Sequence, residues 1–459
     1  MLVGGFGENS EVAHLQAHIP GLFAVAWADD DGVEETLAAH LLNHGALEVA
    51  HLLAELGGRG TWWLGELLKM DDVEITAVCD KFEDRMERGR KMCFEKYGRE
   101  VYGSTDAREI IARDDGSEAV LITTYWNDHA PLAVAAMKAG KYAAFEVGPA
   151  QSIRQCWDLV RTHEETGIPC MLMENCCYNR EEMTVLNMIK KGLFGEVLHC
   201  QGGYQHDLRG VTNEMKRDHE RAWQYLHRNA ELYPTHELGP IMTYLDINRG
   251  NRLMSLNSMA TKSRGLKKYV LDHFGPDHPL ANADIKLGDI VTTTIRCANG
   301  ETIVLTHDTS SPRPYSRGGR VQGTCGIWME DLHAISIEGR SPGEVWEPME
   351  KYWDEFEHPL WKKSRAGQFS GGHGGMDWLV MRAFLNAVRR RIQTPIDVYD
   401  SATLMAVAIL SEESIATGSA PVAIPDFTDG KWVKRDPGPK SIFSLEEVDD
   451  ALFETSDEE

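Results

Sequence analysis

A glycine-rich stretch with a carboxylate well downstream is the first feature that could do chemistry. The stretch is Gly57-Gly58-Arg59-Gly60, an apolar run from Trp62 to Leu68 follows it, and Asp80 lies 20 residues beyond Gly60. Glycines let a backbone approach a pyrophosphate, the next helix N-terminus stabilises its charge, and the acid accepts hydrogen bonds from ribose hydroxyls. The spacing predicts a dinucleotide site, and Asp80 favours NAD over NADP because it would repel a 2′-phosphate.

This candidate site departs from the usual pattern at its first position. The first fingerprint glycine falls at position 55, where the chain has Glu55. The preceding stretch, Leu47–Leu56, fits a helix almost as well as the expected strand. The glycines alone could therefore be a simple loop, and Lys81 beside Asp80 weakens the preference for NAD. The departure concerns how the pyrophosphate is held rather than the fold.

The elements that must position this site alternate between strand and helix. The predicted strands are Val73–Cys79, Ala119–Thr124, Tyr142–Glu146 and Cys170–Glu174; the predicted helices are Phe82–Tyr97, Pro131–Ala139 and Ile153–Thr166. Such alternation implies βαβ units and a parallel sheet. We expect a Rossmann-type dinucleotide-binding domain in residues 46–175, with its cofactor part between about Gly57 and Glu174.

The pattern changes after Glu174. A helix is predicted over Arg180–Lys191, and later helices over Met376–Arg389 and Ser401–Ser414. Runs of β character cover Val197–Tyr204, Ile290–Cys297, Thr302–Asp308, Arg320–Cys325 and Ala334–Glu338. Short turns between consecutive strands indicate a mostly antiparallel sheet. We therefore expect an α/β protein whose second domain, residues 176–430, is α+β with a large sheet. Residues 1–45 are interpreted as an extension, and 431–459 as an acidic, mobile tail.

Composition limits the partners and the compartment. The formal net charge is −24, which argues against nucleic acid and against an anionic membrane surface. Nine cysteines without paired C-x-x-C motifs suggest neither a disulfide framework nor a structural zinc, so no metal is expected. Reduced thiols, and the lack of a signal segment or of a long apolar run, favour a cytoplasmic protein.

Three short blocks resemble the Gfo/Idh/MocA family of sugar-handling oxidoreductases. They are Thr123-Thr124, Trp126-Asn127-Asp128-His129 and Phe145-Glu146-Val147. That family commonly has Glu-Lys-Pro where this chain has Glu146-Val147-Gly148, and its lysine assists proton transfer at the oxidised hydroxyl. Valine at this position argues against simple dehydrogenase activity.

Longer blocks resemble glycoside hydrolase family 109, the NAD-dependent α-N-acetylgalactosaminidases. The resemblance covers about Gly57 to Phe427 and rests on these segments: Glu174-Asn175-Cys176-Cys177-Tyr178, Gly203-Tyr204-Gln205-His206-Asp207-Leu208-Arg209, Leu232-Tyr233-Pro234-Thr235-His236, Asp246-Ile247-Asn248-Arg249-Gly250, Arg313-Pro314-Tyr315-Ser316-Arg317 and His373-Gly374-Gly375-Met376-Asp377.

The resemblance implies two groups of site residues. Contacts to NAD would come from Gly57, Gly58, Arg59, Gly60, Asp80, Trp126, Asn127, Asp128, His129, Glu146, Val147 and Asn175. The sugar site would be lined by Tyr204, Arg221, Tyr233, Pro234, Thr235, His236 and Tyr315, with Arg221 placed only by its distance from the Tyr-Pro-Thr-His block. Glu237 stands where the family usually has glycine, and its carboxylate could change the pocket. The fold is also one that often forms homo-oligomers, dimers in particular.

The implied reaction is redox-neutral hydrolysis of terminal α-N-acetylgalactosaminides. Carbon 3 of the sugar is oxidised transiently, the group on carbon 1 is eliminated, water adds, and carbon 3 is reduced again. His236 is the predicted base at the carbon-3 hydroxyl because imidazole titrates near neutrality. Tyr178 and, less directly, Tyr315 are candidates for proton transfer at carbons 1 and 2, although Tyr178 could equally be a packing residue.

Two other functions remain open at this point. A net NAD(P)-dependent sugar dehydrogenase is the first alternative, which Val147 disfavours. A non-enzymatic sugar or cofactor sensor is the second, which Glu55 allows. His373, among glycines, could be a turn residue or part of an active site, and Cys176 and Cys177 are interpreted as core residues.

Overall fold

A six-stranded parallel sheet carries the first part of the described chain. The computed structural model describes residues 57–212, 220–363 and 372–454, and the backbone of 51–53; all belong to one compact unit. The strands are β1 (His51–Leu53), β2 (Ala77–Cys79), β3 (Tyr102–Ser104), β4 (Ala119–Ile122), β5 (Tyr142–Phe145) and β6 (Cys170–Leu172). Their order is β3-β2-β1-β4-β5-β6, with parallel pairing throughout. This is the doubly wound Rossmann order, so the predicted fold class is confirmed.

Five helices connect these strands. They are α1 (Gly58–Leu67), α2 (Glu83–Tyr97), α3 (Ala107–Ile111), α4 (Trp126–Lys138) and α5 (Ile153–Thr166). Helix α5 has the predicted bounds because Ser152 accepts a hydrogen bond from Gln155 N at its start and Gly167, at φ 70°, ends it. Helix α4 begins five residues before the predicted Pro131. Proline is tolerated best in a first turn, which led the prediction to the wrong start.

A nine-stranded sheet carries the second part. Its strands are β7 (Val197–Gln205), β8 (Leu253–Ala260), β9 (Ile290–Cys297), β10 (Thr302–Asp308), β11 (Arg320–Gly323), β12 (Gly326–Met329), β13 (Ala334–Ile337), β14 (Glu347–Pro348) and β15 (Val422–Ala423). The order is β14-β13-β12-β11-β7-β10-β9-β8-β15. Only β7 and β10 pair in parallel, so the predicted mostly antiparallel sheet is confirmed. Buried and exposed residues alternate along β9, as in a sheet that packs on one face.

The helices of the second part surround this sheet and the first one. They are α6 (Arg180–Lys190), α7 (Arg209–Thr212), α8 (Glu220–His227), α9 (Thr235–Tyr244), α10 (Gly265–Phe274), α11 (Trp353–Phe356), α12 (Pro359–Lys363), α13 (Met376–Arg390), α14 (Val398–Ala416) and α15 (Ala451–Glu454). No helix within the described ranges is both long and apolar enough to cross a membrane.

Helix α14 joins the two sheets through serine hydroxyls. Ser401 Oγ accepts a hydrogen bond from Leu172 N of β6, at 3.0 Å. Near the other end of the helix, Ser414 Oγ accepts a hydrogen bond from Ser258 N of β8, at 2.9 Å. Almost every residue between Val398 and Ser411 is buried, so these hydroxyls satisfy backbone N–H groups that water cannot reach.

The expected tail differs from the structure. Phe443 is fully buried, and Leu445 and Phe453 are nearly so, all within the main hydrophobic core. Apolar side chains at these positions anchor a segment whose many acidic residues suggested mobility. The expected extension, residues 1–45, and Glu55 lie outside the described residues, as does most of Leu47–Leu56.

A buried ion pair ties the loop before β2 to α13. Asp72 accepts hydrogen bonds from Arg382, at 2.8 Å, and from Arg389, and the Asp72 and Arg382 side chains are 6% and 4% exposed. Burial works against the charge of Asp72, but the two guanidinium groups outweigh it, so the pKa of Asp72 lies below its ordinary value.

Replacing Asp72 with asparagine should destabilise the protein by about 3 kcal/mol, because buried guanidinium groups lose their counter-charge. Thermal unfolding at neutral pH would show this as a lower Tm. The lowered pKa means that this stabilisation exists above the unfolded-state value and is lost on acidification. The difference between variant and wild type should therefore shrink below about pH 4.

The matched control is Asp71→Asn. Asp71 pairs with Lys96, but its side chain is 89% exposed, and exposed pairs contribute little to stability. Equal losses of Tm in the two variants would contradict the role given to Asp72.

Candidate active site

A cavity of about 320 Å³ lies at the carboxyl ends of the parallel strands. Residues following β4, β5 and β6 line it together with residues from β7, α8 and α9. The lining comprises Arg59, Thr123, Thr124, Trp126, His129, Glu146, Val147, Asn175, Tyr204, Arg221, Tyr233, His236 and His373. Sheets of this type bind ligands where the strand order reverses, at the ends of β1 and β4. The cavity therefore joins a cofactor region to the second sheet.

The predicted glycine and aspartate positions fall at neighbouring strand ends. In the sheet register Leu53 of β1 is the partner of Cys79 in β2 and of Ile122 in β4. Gly57 and Asp80 follow the first two of these strands within a few residues. Asp80 is 1% exposed, and its Oδ1 accepts a hydrogen bond from Phe82 N at 2.8 Å, which fixes the carboxylate at the strand end.

Arg59 is held by two carboxylates and two indoles. Its Nε donates to Glu146 Oε1 at 2.7 Å, and its two Nη atoms donate to Asp377 at 2.9 and 3.1 Å. The guanidinium carbon lies 4.7 and 4.8 Å from the ring centroids of Trp62 and Trp63. A bidentate pair with stacking is the geometry that suits arginine best, so α1 is fixed against the rest of the cavity.

Asp377 is the acceptor at the centre of this arrangement. Besides Arg59, its carboxylate accepts hydrogen bonds from Asn175 Nδ2 at 2.5 Å and from His373 Nδ1 at 2.8 Å. The side chain is fully buried. Burial opposes its charge, yet the hydrogen bonds from His373 and Arg59 hold the pKa of Asp377 well below its ordinary value. One carboxylate thus joins α1, the turn after β6 and α13.

His236 is oriented by a second buried carboxylate. It lies in the first turn of α9, and its Nδ1 is 2.8 Å from Oε1 of the fully buried Glu174. Burial works against the charge of Glu174, but His236 and the hydrogen bond from Cys176 N outweigh it and keep the pKa of Glu174 below its ordinary value. An ionised carboxylate only accepts, so Nδ1 carries a hydrogen, and in the neutral form of such an imidazole the lone pair is on Nε2. The imidazole that lines the cavity is therefore arranged as a base.

Aromatic rings and one arginine form a second wall of the cavity. The Tyr204 and Tyr233 ring centroids are 4.5 Å apart, and both rings contact His236, at 5.4 and 5.0 Å. The Arg221 guanidinium carbon lies 4.9 Å from the Tyr233 centroid and 5.5 Å from that of Trp126. Such rings offer apolar faces with polar edges.

Tyr315 stands next to this aromatic group rather than within the lining. Its ring centroid is 5.0 Å from His206 and 6.3 Å from Tyr204, and the residue is 49% exposed. The Tyr204 hydroxyl is 3.2 Å from His206 Nδ1. Tyr315 is thus placed at the rim, where a side chain can meet a bound ligand from outside.

Tyr178 corrects the sequence-based interpretation. It is fully buried, and its hydroxyl donates to the Phe443 carbonyl at 2.9 Å. Tyr178 does not line the cavity. It is a packing residue and is not a candidate for proton transfer.

Several other predicted residues also lie outside the lining. Asn127 and Asp128 are exposed in the first turn of α4. Pro234 and Thr235 are buried at the start of α9, where they position the next residue, His236. Gly58 and Gly60 belong to the first turn of α1 and offer only backbone atoms.

Sequence reasoning missed the residues that hold the others. Glu174, His373 and Asp377 stand inside family blocks, but nothing local showed what they contact. His373 and Asp377 are four residues apart, a spacing that permits contact in a helical turn and was the available signal. Thr123 also lines the cavity, and its hydroxyl is buried without a hydrogen-bond partner in the described chain.

Glu237 does not enter the cavity. It is fully buried behind His236, against Gly202 and Gly319, where a Cβ would overlap its side chain. Arg317 approaches Glu237 at 3.7 Å and also pairs with Glu182 and Glu330. Burial first, and then the other two carboxylates, raise the pKa of Glu237 well above its ordinary value. Glu237 was expected to change the pocket. It belongs instead to a buried acidic cluster beside the pocket.

The fold places the chain in a class of two-part proteins in which a Rossmann sheet is joined to a large second sheet, a fold that solved dehydrogenases share. Levoglucosan dehydrogenase in complex with NADH and L-sorbose shares this fold at TM-score 0.62 and 17% identity, over 83% of this chain and 100% of that one. Myo-inositol 2-dehydrogenase from Lactobacillus plantarum does so at TM-score 0.58 and 14% identity, with the same coverage.

Sequence comparisons assign the chain to one family within the proteins that share this fold. Residues 178–434 match the model of "Glycosyl hydrolase 109, C-terminal domain". A glycosyl hydrolase family 109 protein of Stenotrophomonas maltophilia (strain K279a) is 46% identical, over 83% of this chain and 89% of the relative. An alpha-N-acetylgalactosaminidase of Tannerella forsythia is 41% identical, over 83% of this chain and 86% of the relative. The chain belongs to glycosyl hydrolase family 109, which confirms the predicted glycoside hydrolase.

Glu231 lies just before the segment that carries Tyr233 and His236, and it is buried as an uncharged acid. It is fully buried, and its carboxyl oxygens make no hydrogen bond of ordinary geometry to a side chain of the described residues, although the backbone N–H of Tyr233 is near enough to oppose the pKa shift. Burial raises the pKa of Glu231 to about 8. Its backbone N–H donates to Ser411 Oγ at 2.9 Å, so α14 holds this segment in place.

Replacing Glu231 with glutamine should make stability less dependent on pH. The folded wild type keeps a proton that the unfolded chain releases above about pH 4, so its stability falls as pH rises toward about 8. The Tm of Glu231→Gln should therefore rise relative to wild type between about pH 5 and about pH 8. Thermal unfolding across this range measures it. The exposed Glu413→Gln is the control, and Tm curves for Glu231→Gln that run parallel to wild type would contradict the assignment.

Proposed function

We propose that this protein hydrolyses terminal α-N-acetylgalactosaminides with a retained NAD⁺, without net redox change. The proposal rests on a single observation: two structurally different sets of residues line the same cavity. Strand-end residues of a Rossmann sheet form one part, and the His236–Glu174 pair with its neighbouring tyrosines forms the other. The name of the Tannerella forsythia relative supports the sugar, and the NADH named with levoglucosan dehydrogenase supports the cofactor.

The residues present fit NAD⁺. The first turn of α1 contains no acidic residue, and a Cβ at Gly58 would have nothing within 4 Å. A side chain at Gly58 would thus meet no described atom, and the first N–H groups of a helix lack intrahelical partners, which suits a pyrophosphate. Arg59, Trp126 and Asn175 would hold the remaining parts. Bound NAD⁺ supplies a hydride acceptor for carbon 3 and returns the hydride later.

The strand-end carboxylate favours NAD over NADP. Asp80 sits at the end of β2, where its charge would repel a 2′-phosphate. Lys81, which weakened this preference in the sequence, has its ammonium 3.6 Å from the Tyr125 ring centroid. That contact directs the cation to an aromatic face, which supports the assignment to NAD.

His236 acts as the base at the carbon-3 hydroxyl. Glu174 fixes Nδ1–H, so Nε2 takes the hydroxyl proton as the hydride leaves, and Glu174 stabilises the resulting imidazolium. The carbon-3 ketone then makes the hydrogen on carbon 2 acidic, which permits elimination at carbon 1. After water adds to carbon 1, the same imidazolium returns its proton when carbon 3 is reduced.

Tyr315 is the remaining candidate for proton transfer at carbons 1 and 2. It stands at the rim beside His206 and Tyr204, on the side from which an aglycone would leave. Tyr233, Tyr204 and Arg221 hold the sugar, the rings against its C–H face and the guanidinium by hydrogen bonds to its oxygens. Val147, buried after β5, leaves this face of the cavity without the lysine of the related dehydrogenases.

The decisive experiment incubates purified protein with a nitrophenyl α-N-acetylgalactosaminide without added nucleotide. We expect nitrophenol release with no net NADH, and NAD detected in the protein by mass spectrometry. Accumulation of NADH with free sugars would instead identify a net dehydrogenase. Bound NAD without turnover on a broad glycoside panel would identify a sensor.

His236→Ala should lower kcat by about a hundredfold to ten-thousandfold, the usual contribution of a positioned general base. Glu174→Gln should give a smaller loss, because the base remains but its orientation and charge support are weakened. Steady-state kinetics on the same substrate measure both. His199→Ala, a histidine of β7 outside the lining, is the control and should leave kcat unchanged. Wild-type turnover in His236→Ala would contradict the assigned base.

A further inference from the structure

Three metal-ligating side chains converge beneath the cavity floor. One donor atom each of Glu174, Cys176 and His236 lies within 4.8 Å of the other two. Glu174 and Cys176 are 0% and 1% exposed, while His236 lines the cavity. Of the three residues, His236 is the one that connects this cluster to the cavity.

One carboxylate oxygen of the cluster is weakly compensated. Glu174 Oε1 accepts from His236 and from Cys176 N, whereas Oε2 is buried with no hydrogen bond of ordinary geometry. The Thr235 hydroxyl is close enough to this carboxylate to help lower the pKa of Glu174. A fully buried carboxylate oxygen with so little compensation is costly, and a cation bound beside it would supply a stronger interaction.

The donor set selects the kind of cation. Sulfur, imidazole nitrogen and one carboxylate oxygen are the ligands of zinc sites that keep an open fourth position. Magnesium and manganese prefer oxygen ligands alone. Donor atoms around a tetrahedral zinc are about 3.5 Å apart, so side-chain movements of about 1 Å would close the cluster on the ion. Water from the cavity can fill the fourth position.

Binding requires the loss of the Cys176 proton. Burial is the largest cause that raises the pKa of this thiol well above its ordinary value, so the resting protein holds Cys–SH. The cation forms the S–metal bond as the S–H bond breaks, and the proton goes to solvent. Arg317 Nη1 lies 3.4 Å from the sulfur and donates to it, which helps hold the thiolate.

We propose that Glu174, Cys176 and His236 form a binding site for a soft divalent cation such as Zn²⁺, and that its occupation inhibits the enzyme. The inhibition rests on the proposed role of His236, while the binding does not. If Nδ1 binds the metal, Nε2 carries the hydrogen and cannot accept one. If Nε2 binds it, the lone pair is used. In either case the base at the carbon-3 hydroxyl is lost.

The binding test uses Cd²⁺ titrated into the full-length protein, followed by the ultraviolet thiolate-to-cadmium absorption band. We expect a saturable band for wild type that is lost in Cys176→Ser. Cys177→Ser is the matched control, since it replaces the adjacent buried cysteine outside the cluster, and it should keep the band. Glu174→Gln keeps the thiol and should weaken cadmium binding at least tenfold, which covers the case of a poorly folded Cys176→Ser. A full band in Cys176→Ser, or unchanged affinity in Glu174→Gln, would overturn the site.

The inhibition test measures glycoside hydrolysis with Zn²⁺ and then with excess chelator. Reversible loss of activity in wild type and in Cys177→Ser, with at least tenfold less sensitivity in Cys176→Ser, supports the proposal. Cadmium binding without loss of activity would overturn the inhibitory half. If no glycoside is hydrolysed at all, the proposed function fails while the absorption band still decides the metal site.

Discussion

The carboxylate of Asp377 is the interaction on which the cavity depends. It lies in the interior and joins the first turn of α13 to Arg59 of α1, to Asn175 after β6 and to His373. Its partners are 202 residues away at Asn175 and 318 at Arg59. A buried charge without these donors would cost several kcal/mol. The glycine-rich end of the Rossmann sheet and the second part of the chain are therefore held together by one carboxylate that is not part of the cavity lining.

Three buried glutamates near this centre have different pKa values because their surroundings differ. Glu174 stays charged because a histidine and a backbone N–H compensate its burial. Burial raises the pKa of Glu231 to about 8 because the backbone N–H of Tyr233 does not offset it. Burial first, and neighbouring acids second, raise the pKa of Glu237 well above its ordinary value. Most glycosidases place two carboxylates on either side of the scissile bond. Here Glu146 lines the cavity, while Glu174 and Asp377 lie behind the lining, where they hold an imidazole and a guanidinium in place.

Local signals predicted the framework well. Strand β9 and helix α5 have the predicted bounds because alternation and an N-cap are written within a few residues, and the Rossmann glycines and Asp80 fall at neighbouring strand ends. The predicted start of α4 was wrong because the helix contains Pro131 in its interior, a position that helix propensity disfavours. The role predicted for Tyr178 in proton transfer was wrong, because its hydroxyl is buried against the carbonyl of Phe443, 265 residues away. Asp377 and Glu174 went unassigned for the same reason: their roles are contacts between distant segments, which no single stretch of sequence contains.

Gly148 limits how the wall of the cavity can be redesigned. A Cβ at this position would overlap the indole of Trp126, and that indole contacts Tyr233 at 5.8 Å. Any larger residue at 148 would therefore push the indole out of the aromatic wall. Position 147 carries no such constraint from Trp126, since its side chain can change while Gly148 stays. An engineered amine on this face of the cavity therefore belongs at 147, with the glycine kept.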